Sequence, residues 1–248
     1  MNDLVFGVAQ MSVIKGNIQQ NLARHCQLIK AAAQEGVQLL LFPELSLTGY
    51  EPNLAQNLAI DVSDENLFLL QELANQYSMV LLVGGPKKTQ HKPEIGLFII
   101  RPHQAISCYS KLNLHASEEL FFARGTQHQT LELNEQKFGL AICADIANSE
   151  HIKMLMKDNI EFYLAGVLIS ENGLSEDCKI LENYVIKHNI LVAMANFTGE
   201  TGGWSCAGNS TIWNSTGEIL ARANHEEFAV VIASRENSKW SGKTITIK

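Results

Sequence analysis

The sequence predicts an α/β protein built as a four-layer α-β-β-α sandwich, in which two mixed sheets pack face to face between outer helices. Short apolar, β-branched segments alternate with longer segments whose apolar residues recur at helical spacing. About ten strand segments accompany about four helical ones, which is too many strands for one doubly wound sheet. Several strand segments are apolar along their whole length, as expected where both faces of a sheet are covered.

In the first half of the chain, an apolar strand over residues 4–11 precedes an amphipathic helix over residues 17–36. This helix ends on Gly36, and glycine is the residue that most often follows a helix C-terminus. A second helical pattern covers residues 64–78. The remaining apolar segments of this half predict strands over residues 37–43, 78–85, 95–100 and 105–110.

The second half continues the alternation, with a helical pattern over residues 175–189. Its apolar segments predict strands over residues 138–144, 161–169, 190–196, 206–214 and 228–234. No linker, repeat or low-complexity run interrupts either half. Residues 1–248 are therefore predicted to form a single domain, a length within reach of one large α/β unit.

Composition limits the classes of partner. A formal net charge of −7, without any long run of like charge, argues against nucleic acid and anionic membrane surfaces as partners. The longest apolar runs, such as LAGVLI, are too short to span a bilayer, and the N-terminal segment lacks the layout of a signal peptide. A cytoplasmic location is the resulting expectation.

The cysteines favour reduced thiols. They are odd in number and widely spaced, with no CxxC pair and no zinc-like Cys/His cluster: Cys26, Cys108, Cys143, Cys178 and Cys206. Disulfides and a structural metal are therefore not expected, and packing is the better explanation for every cysteine except Cys143.

Candidate chemistry lies where apolar segments end, because ligands of α/β proteins bind at the carboxyl ends of strands. In LLLFPELSLTGYEP, Glu44 directly follows an apolar strand. Partial removal from water would raise its pKa toward that of a general base, although a glutamate here can also cap the next turn. In AISCYSKLNLH, Lys111 is either a surface lysine or a cation that stabilises a thiolate and an oxyanion.

Two further segments carry candidate groups. In SEELFFARG, Glu118 and Glu119 precede two phenylalanines, so one carboxylate faces the aromatic side or both belong to a solvated helix start. In FGLAICADIA, Cys143 ends an apolar strand and the N–H of Ala144 follows. This layout is similar to a nucleophile elbow, whereas a buried cysteine can also be an inert packing residue.

Taken together and in this order, these segments resemble the nitrilase (carbon–nitrogen hydrolase) superfamily, in its amidase-like branch. The glutamate motif reads FPELSLTGY, the lysine motif YSKLNLHASEELFFARG and the cysteine motif FGLAICADIANSE. Weaker likeness continues through ILVAMANFTGE and CAGNSTIWNSTGEILARA. The family resemblance thus covers nearly the whole chain, and its fold agrees with the sandwich predicted above.

The resemblance implies catalytic roles for four side chains: Glu44, Lys111, Glu118 and Cys143. Cys143 would be the nucleophile and Glu44 its general base. Lys111 and the Ala144 N–H would stabilise the tetrahedral intermediate, and Glu118 would help to position substrate and base. The implied reaction hydrolyses a small-molecule amide through an acyl-thioester, needs no metal or organic cofactor, and takes place in a homodimer. Nitrile hydrolysis at the same site, or a non-catalytic binding protein that kept the fold, are the alternatives.

Ala144, His115 and Tyr50 are expected to contact substrate. For His115, a place in the pocket wall and a hydrogen-bonded structural role both stay open. The glycine-rich segment GETGGWSCAG either overhangs the pocket with Phe197 and Trp204 or forms only a turn.

The cysteine motif departs from the family in one place. Many members carry an arginine, an aromatic residue and a proline where this chain has Ala147, Asn148 and Ser149. The missing arginine is expected to weaken a local salt link and to alter the dimer contact.

The segment ENGLSEDCK is expected near the pocket mouth, and its charges bear on substrate choice. It contains Glu171, Glu176 and Asp177, with Lys179 as its only cation. Helix capping by Ser175 would explain the second and third of these acids but not the first. The hypothesis is that neutral or cationic amides are preferred over amides that carry a carboxylate.

Overall fold

Two packed β-sheets form the centre of the protein, in a computed structural model that describes residues 3–247. Residues 1, 2 and 248 of the predicted domain lie outside the described part. The strands of the described part are, in chain order, β1 (Leu4–Gln10), β2 (Leu39–Leu41), β3 (Val80–Lys87), β4 (Glu94–Ile100), β5 (Ser107–Ser110), β6 (Thr130–Leu133), β7 (Gln136–Ile142), β8 (Phe162–Gly166), β9 (Leu191–Ala195), β10 (Thr198–Thr201), β11 (Trp204–Ala207), β12 (Thr211–Trp213), β13 (Ile219–Arg222), β14 (Ala229–Glu236) and β15 (Lys239–Thr246). The α-helices are α1 (Ile18–Gln34), α2 (Glu65–Tyr77), α3 (Ser149–Lys157) and α4 (Leu174–His188), and short 3₁₀ helices cover Pro52–Leu54 and Cys143–Ala147.

Each large sheet is mixed, with parallel strands at its centre. The first has the order β15-β14-β1-β2-β3-β4-β5, in which β1, β2 and β3 are parallel. The second has the order β13-β12-β9-β8-β7-β6, in which β7, β8 and β9 are parallel. A separate hairpin pairs β10 with β11. The two mixed sheets of the predicted fold class are confirmed.

The layers follow from the two faces of each sheet. Between the sheets, Phe6 of β1 packs edge-on against Phe138 and Phe162 of the second sheet, at ring-centroid distances of 6.3 and 5.7 Å. The outer face of the first sheet is covered by apolar residues of α1 and α2, and that of the second by α3 and α4. Because both faces of the central strands are covered, these strands are apolar throughout. The α-β-β-α order is therefore confirmed.

Positive backbone φ angles correct two strand predictions. The predicted strand over residues 206–214 is divided into β11 and β12 at Gly208 and Asn209, whose φ angles are +59° and +54°. The predicted strand over residues 138–144 ends at Ile142, because Cys143 has a φ of +40°. At these positions the backbone leaves the extended geometry of the ladder.

The strands that sequence reasoning missed are short or lie at sheet edges: β6, β10, β13 and β15. β15 pairs with β14 along its whole length through a tight turn at Asn237 and Ser238, which both have positive φ. Most of its residues are exposed or half-buried, so its sequence has no apolar run that would predict a strand.

One edge of the sandwich collects the ends of several strands. Glu44 follows β2, Lys111 follows β5 and Cys143 follows β7. Because β2 and β5 run in the same direction, both strands deliver their C-terminal residues to the same edge of the first sheet. The cavity described below lies at this edge.

Candidate active site

Cys143 occupies the sharp turn between β7 and the 3₁₀ helix Cys143–Ala147. Its φ of +40° is unusual for a residue with a Cβ and costs about 1–3 kcal/mol, which the surrounding contacts must offset. The thiol donates a hydrogen bond to the Leu168 carbonyl over 3.6 Å and lies 4.0 Å from the His115 Nε2. The turn therefore presents Sγ toward the residues that follow β8 and β5.

A buried Glu–Lys–Glu cluster lies next to the thiol. Lys111 Nζ donates to Glu44 Oε1 over 2.7 Å and to both oxygens of Glu118 over 2.8 and 3.0 Å. All three side chains are buried. The second oxygen of Glu44, Oε2, is also buried and accepts no hydrogen bond from the described residues. It is the oxygen of the cluster that remains available to take a proton.

Burial raises the pKa of Glu44 to about 7, since Lys111 only partly opposes the loss of water and Glu118 adds a like charge. For Lys111, burial alone would lower the pKa, but the negative charges of Glu44, Cys143 and Glu118 hold it above its usual value. The Glu44 carboxyl can thus take up and release a proton near neutral pH, as a general base must, and Lys111 stays positively charged.

The thiol is not activated by Lys111 alone. Burial and the nearby Glu44 raise the pKa of Cys143 well above its usual range, and Lys111 opposes them only in part. Lys111 does lower the pKa of the thiol, as expected of a nearby cation, but its charge does not outweigh burial and Glu44. Cys143 is therefore a protonated thiol, which would need a base before its sulfur could attack a carbonyl.

Glu118 is held by groups besides Lys111. The Tyr50 hydroxyl donates to its Oε1 over 2.7 Å, and the backbone N–H of His115 donates to its Oε2 over 2.7 Å. The neighbouring Glu119 is exposed and pairs with Arg124 instead. The structure therefore brings Glu118 into the cluster and leaves Glu119 outside it.

A cavity of about 600 Å³ opens over Cys143. Ala144, His115 and Tyr50 all lie in its wall, as do Gly202 and Trp204 of the glycine-rich segment. That segment forms the β10–β11 hairpin, so it both makes a turn and borders the pocket. Phe197 packs into the core under the first sheet and takes no part in the wall.

The Ala144 N–H makes no hydrogen bond with other residues of the described chain. It is the first amide after Cys143, the place that an oxyanion donor takes in a nucleophile elbow. Together with the charge of Lys111, this free donor can stabilise negative charge that develops on a carbonyl oxygen bonded to Cys143.

Asp145 joins the nucleophile turn to the lysine segment, a function that the sequence analysis missed. Its buried Oδ2 accepts from the Ile142 N–H over 3.0 Å and from the Tyr109 hydroxyl over 2.6 Å. Its Oδ1 accepts from the backbone N–H groups of Leu112 and Asn113 over 3.2 and 2.9 Å. A charged residue inside the apolar run FGLAICADIA was the available signal.

A buried histidine supports the same junction. His151 Nε2 lies 3.0 Å from the Tyr109 hydroxyl, and the Tyr163 hydroxyl lies 3.3 Å from its Nδ1. Burial lowers the pKa of His151, so the ring is neutral and the hydrogen-bond pattern assigns its proton to Nε2. The Tyr109 hydroxyl can then accept from His151 while it donates to Asp145.

Residues 147–149, where the chain departs from the family motif, include a residue that makes local polar contacts. Asn148 caps α3 by accepting from the Glu150 N–H over 3.0 Å, and its Nδ2 donates to Asn113 Oδ1 over 2.6 Å. Asn148 thus connects the nucleophile turn to the same lysine segment that Asp145 binds.

Asp145→Asn is expected to lower kcat by about 10²-fold with little change in KM, because the amide leaves buried N–H groups without an acceptor and shifts Cys143 relative to Lys111. Steady-state kinetics and a thermal melt on the variant measure the two effects. Asp61→Asn, at an exposed position, is the matched control. A lower melting temperature with wild-type kcat would show that Asp145 only stabilises the fold.

No group of three or more His, Cys, Asp or Glu side chains within residues 3–247 has the arrangement of a metal site. Over the same residues, every helix is too short or too polar to cross a bilayer.

Comparison with known proteins finds matches along most of the chain. Residues 6–241 match the family described as Carbon-nitrogen hydrolase. A glutamine-dependent NAD(+) synthetase of Acinetobacter baylyi is 28% identical over 232 residues, which make up 90% of this chain and 42% of that protein. The chain thus spans less than half of this relative. An omega-amidase of Xenopus tropicalis is 25% identical over 228 residues, which make up 85% of this chain and 81% of the relative.

Among solved structures, the NitN amidase from Nesterenkonia sp. AN1 superimposes with a TM-score of 0.86, covering 95% of this chain and 94% of that one. The two sequences are 21% identical, so the likeness establishes the fold alone. A structure of a mutant of the Nesterenkonia amidase is described as showing covalent addition of the acetamide moiety of fluoroacetamide at the active site cysteine.

Proposed function

Since the chain belongs to the carbon-nitrogen hydrolase family, we propose that it is a cysteine-dependent amidase acting on small amides. The observation that carries the proposal is the buried contact of Lys111 with Glu44, next to the Cys143 thiol at the base of a cavity. A thiol, a base with an unoccupied oxygen and a fixed cation are the groups that acyl transfer needs. The amidase names of two of the relatives agree with this reaction.

Acylation begins when Glu44 Oε2 takes the proton of the Cys143 thiol and the sulfur attacks the amide carbon. The S–C bond forms as the carbonyl electrons move to oxygen, where the Ala144 N–H and the charge of Lys111 stabilise them. Collapse of this intermediate breaks the C–N bond, and Glu44 returns its proton to the leaving nitrogen. Ammonia departs, and a thioester remains on Cys143.

Deacylation uses the same groups in reverse. A water molecule gives a proton to Glu44 and attacks the thioester carbon, with the oxyanion again between Lys111 and the Ala144 N–H. The C–S bond then breaks, and the sulfur recovers its proton from Glu44. The sum is amide plus water giving carboxylic acid plus ammonia. Every step is supplied by the residues of this chain and by water.

Glu118 is proposed as a positioning residue. Both of its carboxylate oxygens accept from Lys111 Nζ, and it is itself held by Tyr50 and the His115 N–H. A fixed lysine cannot swing toward solvent when substrate is absent. The homodimer that the family resemblance implies, and the cytoplasmic location expected from the sequence, stay predictions.

Release of ammonia from a panel of small amides, ureido compounds and nitriles is the test of the proposed function. Wild-type protein is expected to release ammonia from at least one amide, and Cys143→Ala from none, because the variant has no sulfur to form the thioester. Cys178→Ala is the matched control, since Cys178 lies on α4 outside the cavity wall. Release from nitriles alone would assign nitrile hydrolysis to the same site. Equal release by wild type and Cys143→Ala, or none from any compound, would contradict the proposal.

A further inference from the structure

The wall of the cavity contains a carboxylate that the proposed reaction does not use. Asp177, in the first turn of α4, lines the cavity and is half-buried. Among the described residues, no hydrogen bond or ion pair is formed by its carboxylate. Of the acids in the segment ENGLSEDCK, Asp177 alone borders the cavity, because Glu171 is exposed and accepts from the Ser205 hydroxyl.

Ser175 does not cap α4, as the sequence analysis had allowed. The helix begins at Leu174, and its N-cap is Gly173, which has no side chain to offer. The carboxylate of Asp177 lies over this glycine, since a Cβ built on Gly173 would be 3.5 Å from Asp177 Oδ2. The same Cβ position would be 3.7 Å from the Ser170 hydroxyl, so two polar groups lie together at this part of the wall.

In the described part of the chain, the cavity wall gives the Asp177 carboxylate no strong basic partner. No lysine or arginine contributes to the described cavity wall, and Lys111 is buried behind it in contact with two glutamates. His115 is the remaining wall residue that can carry positive charge. Burial and the adjacent Glu176 raise the pKa of Asp177, and His115 opposes them. The carboxylate is therefore partly removed from water without a cation that fully compensates its charge.

The size and lining of the cavity indicate what reaches Asp177. A volume of about 600 Å³ is far larger than an amide group needs. Apolar side chains such as Phe121, Ile146 and Leu168 form the wall between the polar groups. An aliphatic acyl chain fits this lining and would carry a terminal group away from Cys143.

We propose that Asp177 selects amides whose acyl chain ends in a cationic group such as an ammonium, and that it excludes amides with a terminal carboxylate. The inference rests on the proposed amidase activity and adds the substrate class to it. An ammonium would donate hydrogen bonds to the partly desolvated Asp177 carboxylate and pair with its charge, whereas a second carboxylate would meet uncompensated negative charge.

Three matched compounds test this selectivity: 4-aminobutanamide, pentanamide and the monoamide of glutaric acid. They share one chain length and end in an ammonium, a methyl group and a carboxylate. For wild-type protein, kcat/KM is expected to be highest for 4-aminobutanamide, and to exceed that of the glutaric monoamide by at least about tenfold. Reactions with Cys143→Ala supply the blank.

Asp177→Asn is expected to lower the ratio of kcat/KM between 4-aminobutanamide and pentanamide by about tenfold, because the amide keeps the shape of the side chain and loses its charge. Glu176→Gln, one residue away and exposed, is the matched control and should keep the wild-type ratio. On wild-type protein, raising NaCl from about 0.05 to 0.5 M should lower the ratio through screening. If Asp177→Asn fails to fold, this salt dependence of the wild-type protein tests the role of Asp177 instead.

The outcomes separate this inference from the proposed function. Hydrolysis of pentanamide with a ratio that neither Asp177→Asn nor salt changes would overturn the role of Asp177 and leave the amidase standing. Preference of the wild-type protein for the glutaric monoamide would do the same. Failure to hydrolyse any of the three, together with a blank result in the wider panel, would overturn both.

Discussion

Glu44→Gln is expected to lower kcat for amide hydrolysis by about 10⁴-fold, the upper end of what one general base contributes. Burial and Glu44 itself hold the Cys143 thiol in its protonated form, so the sulfur cannot attack until a base takes its proton. Glutamine keeps the size of the side chain and can still contact Lys111, but it cannot accept that proton. Steady-state ammonia release measures the loss.

The matched control for this change is Glu119→Gln. Glu119 belongs to the same motif region, is exposed and pairs with Arg124 outside the cluster. Its variant is expected to keep kcat within about threefold of wild type, because an exposed ion pair contributes little. Activity of Glu44→Gln within about tenfold of wild type would remove Glu44 from the mechanism.

The pH dependence of activity provides a second, independent test of Glu44 as the general base. Glu44 must be ionised to act as a base, and burial raises its pKa to about 7. Activity is therefore expected to fall as the pH drops through neutrality, at a higher pH than an ordinary glutamate would give. The residual activity of Glu44→Gln should lack this acid limb. A wild-type limb near the pKa of an exposed glutamate would contradict the assignment.

Lys111→Met is expected to lose both activity and stability. Methionine is similar in length but carries no charge, so the oxyanion loses its cation, a change that typically costs about 10²–10³-fold in kcat. The variant also leaves Glu44 and Glu118 buried next to each other without a counterion. Removing one partner of a buried ion pair lowers the free energy of unfolding by about 3–5 kcal/mol.

Urea unfolding of a small series tests the second effect. Lys87→Met is the control, because Lys87 forms a 2.8 Å ion pair with Glu94 that is partly exposed and should cost about 1 kcal/mol or less. The double variant Lys111→Met with Glu118→Gln should recover part of the stability, since it removes one unpaired buried charge, but none of the activity. Equal costs for Lys111→Met and Lys87→Met would contradict the buried cluster.

Local sequence patterns were sufficient for the fold class and for the residues at the strand ends. Apolar runs that stop at Glu44, Lys111 and Cys143 signal both a covered sheet and a polar group at its edge, because burial and strand alternation are properties of neighbouring residues. The polar edge strand β15 was not predicted, because it forms by pairing with β14 and has no apolar run of its own.

Only the tertiary structure shows which residues from different strands lie within contact distance. Glu44 and Lys111 are 67 positions apart, and their contact exists because β2 and β5 end at the same edge. Packing also buries the Cys143 thiol beside Glu44, and these two effects raise its pKa where the sequence suggested a thiolate.

The same limit applies to Asp145 and Asp177. Each lies in a segment that the sequence analysis singled out, but no feature of the neighbouring sequence distinguishes Asp177 from Glu171 or Glu176. Asp145 acquires its function through donors more than 30 positions away, and Asp177 through the cavity that α4 borders. The sequence by itself determined which chemical groups the chain supplies at its strand ends. The tertiary structure decided which of these groups come into contact. Contact and burial then set the pKa of each group, because electrostatic energy depends on separation and burial rather than on order along the chain.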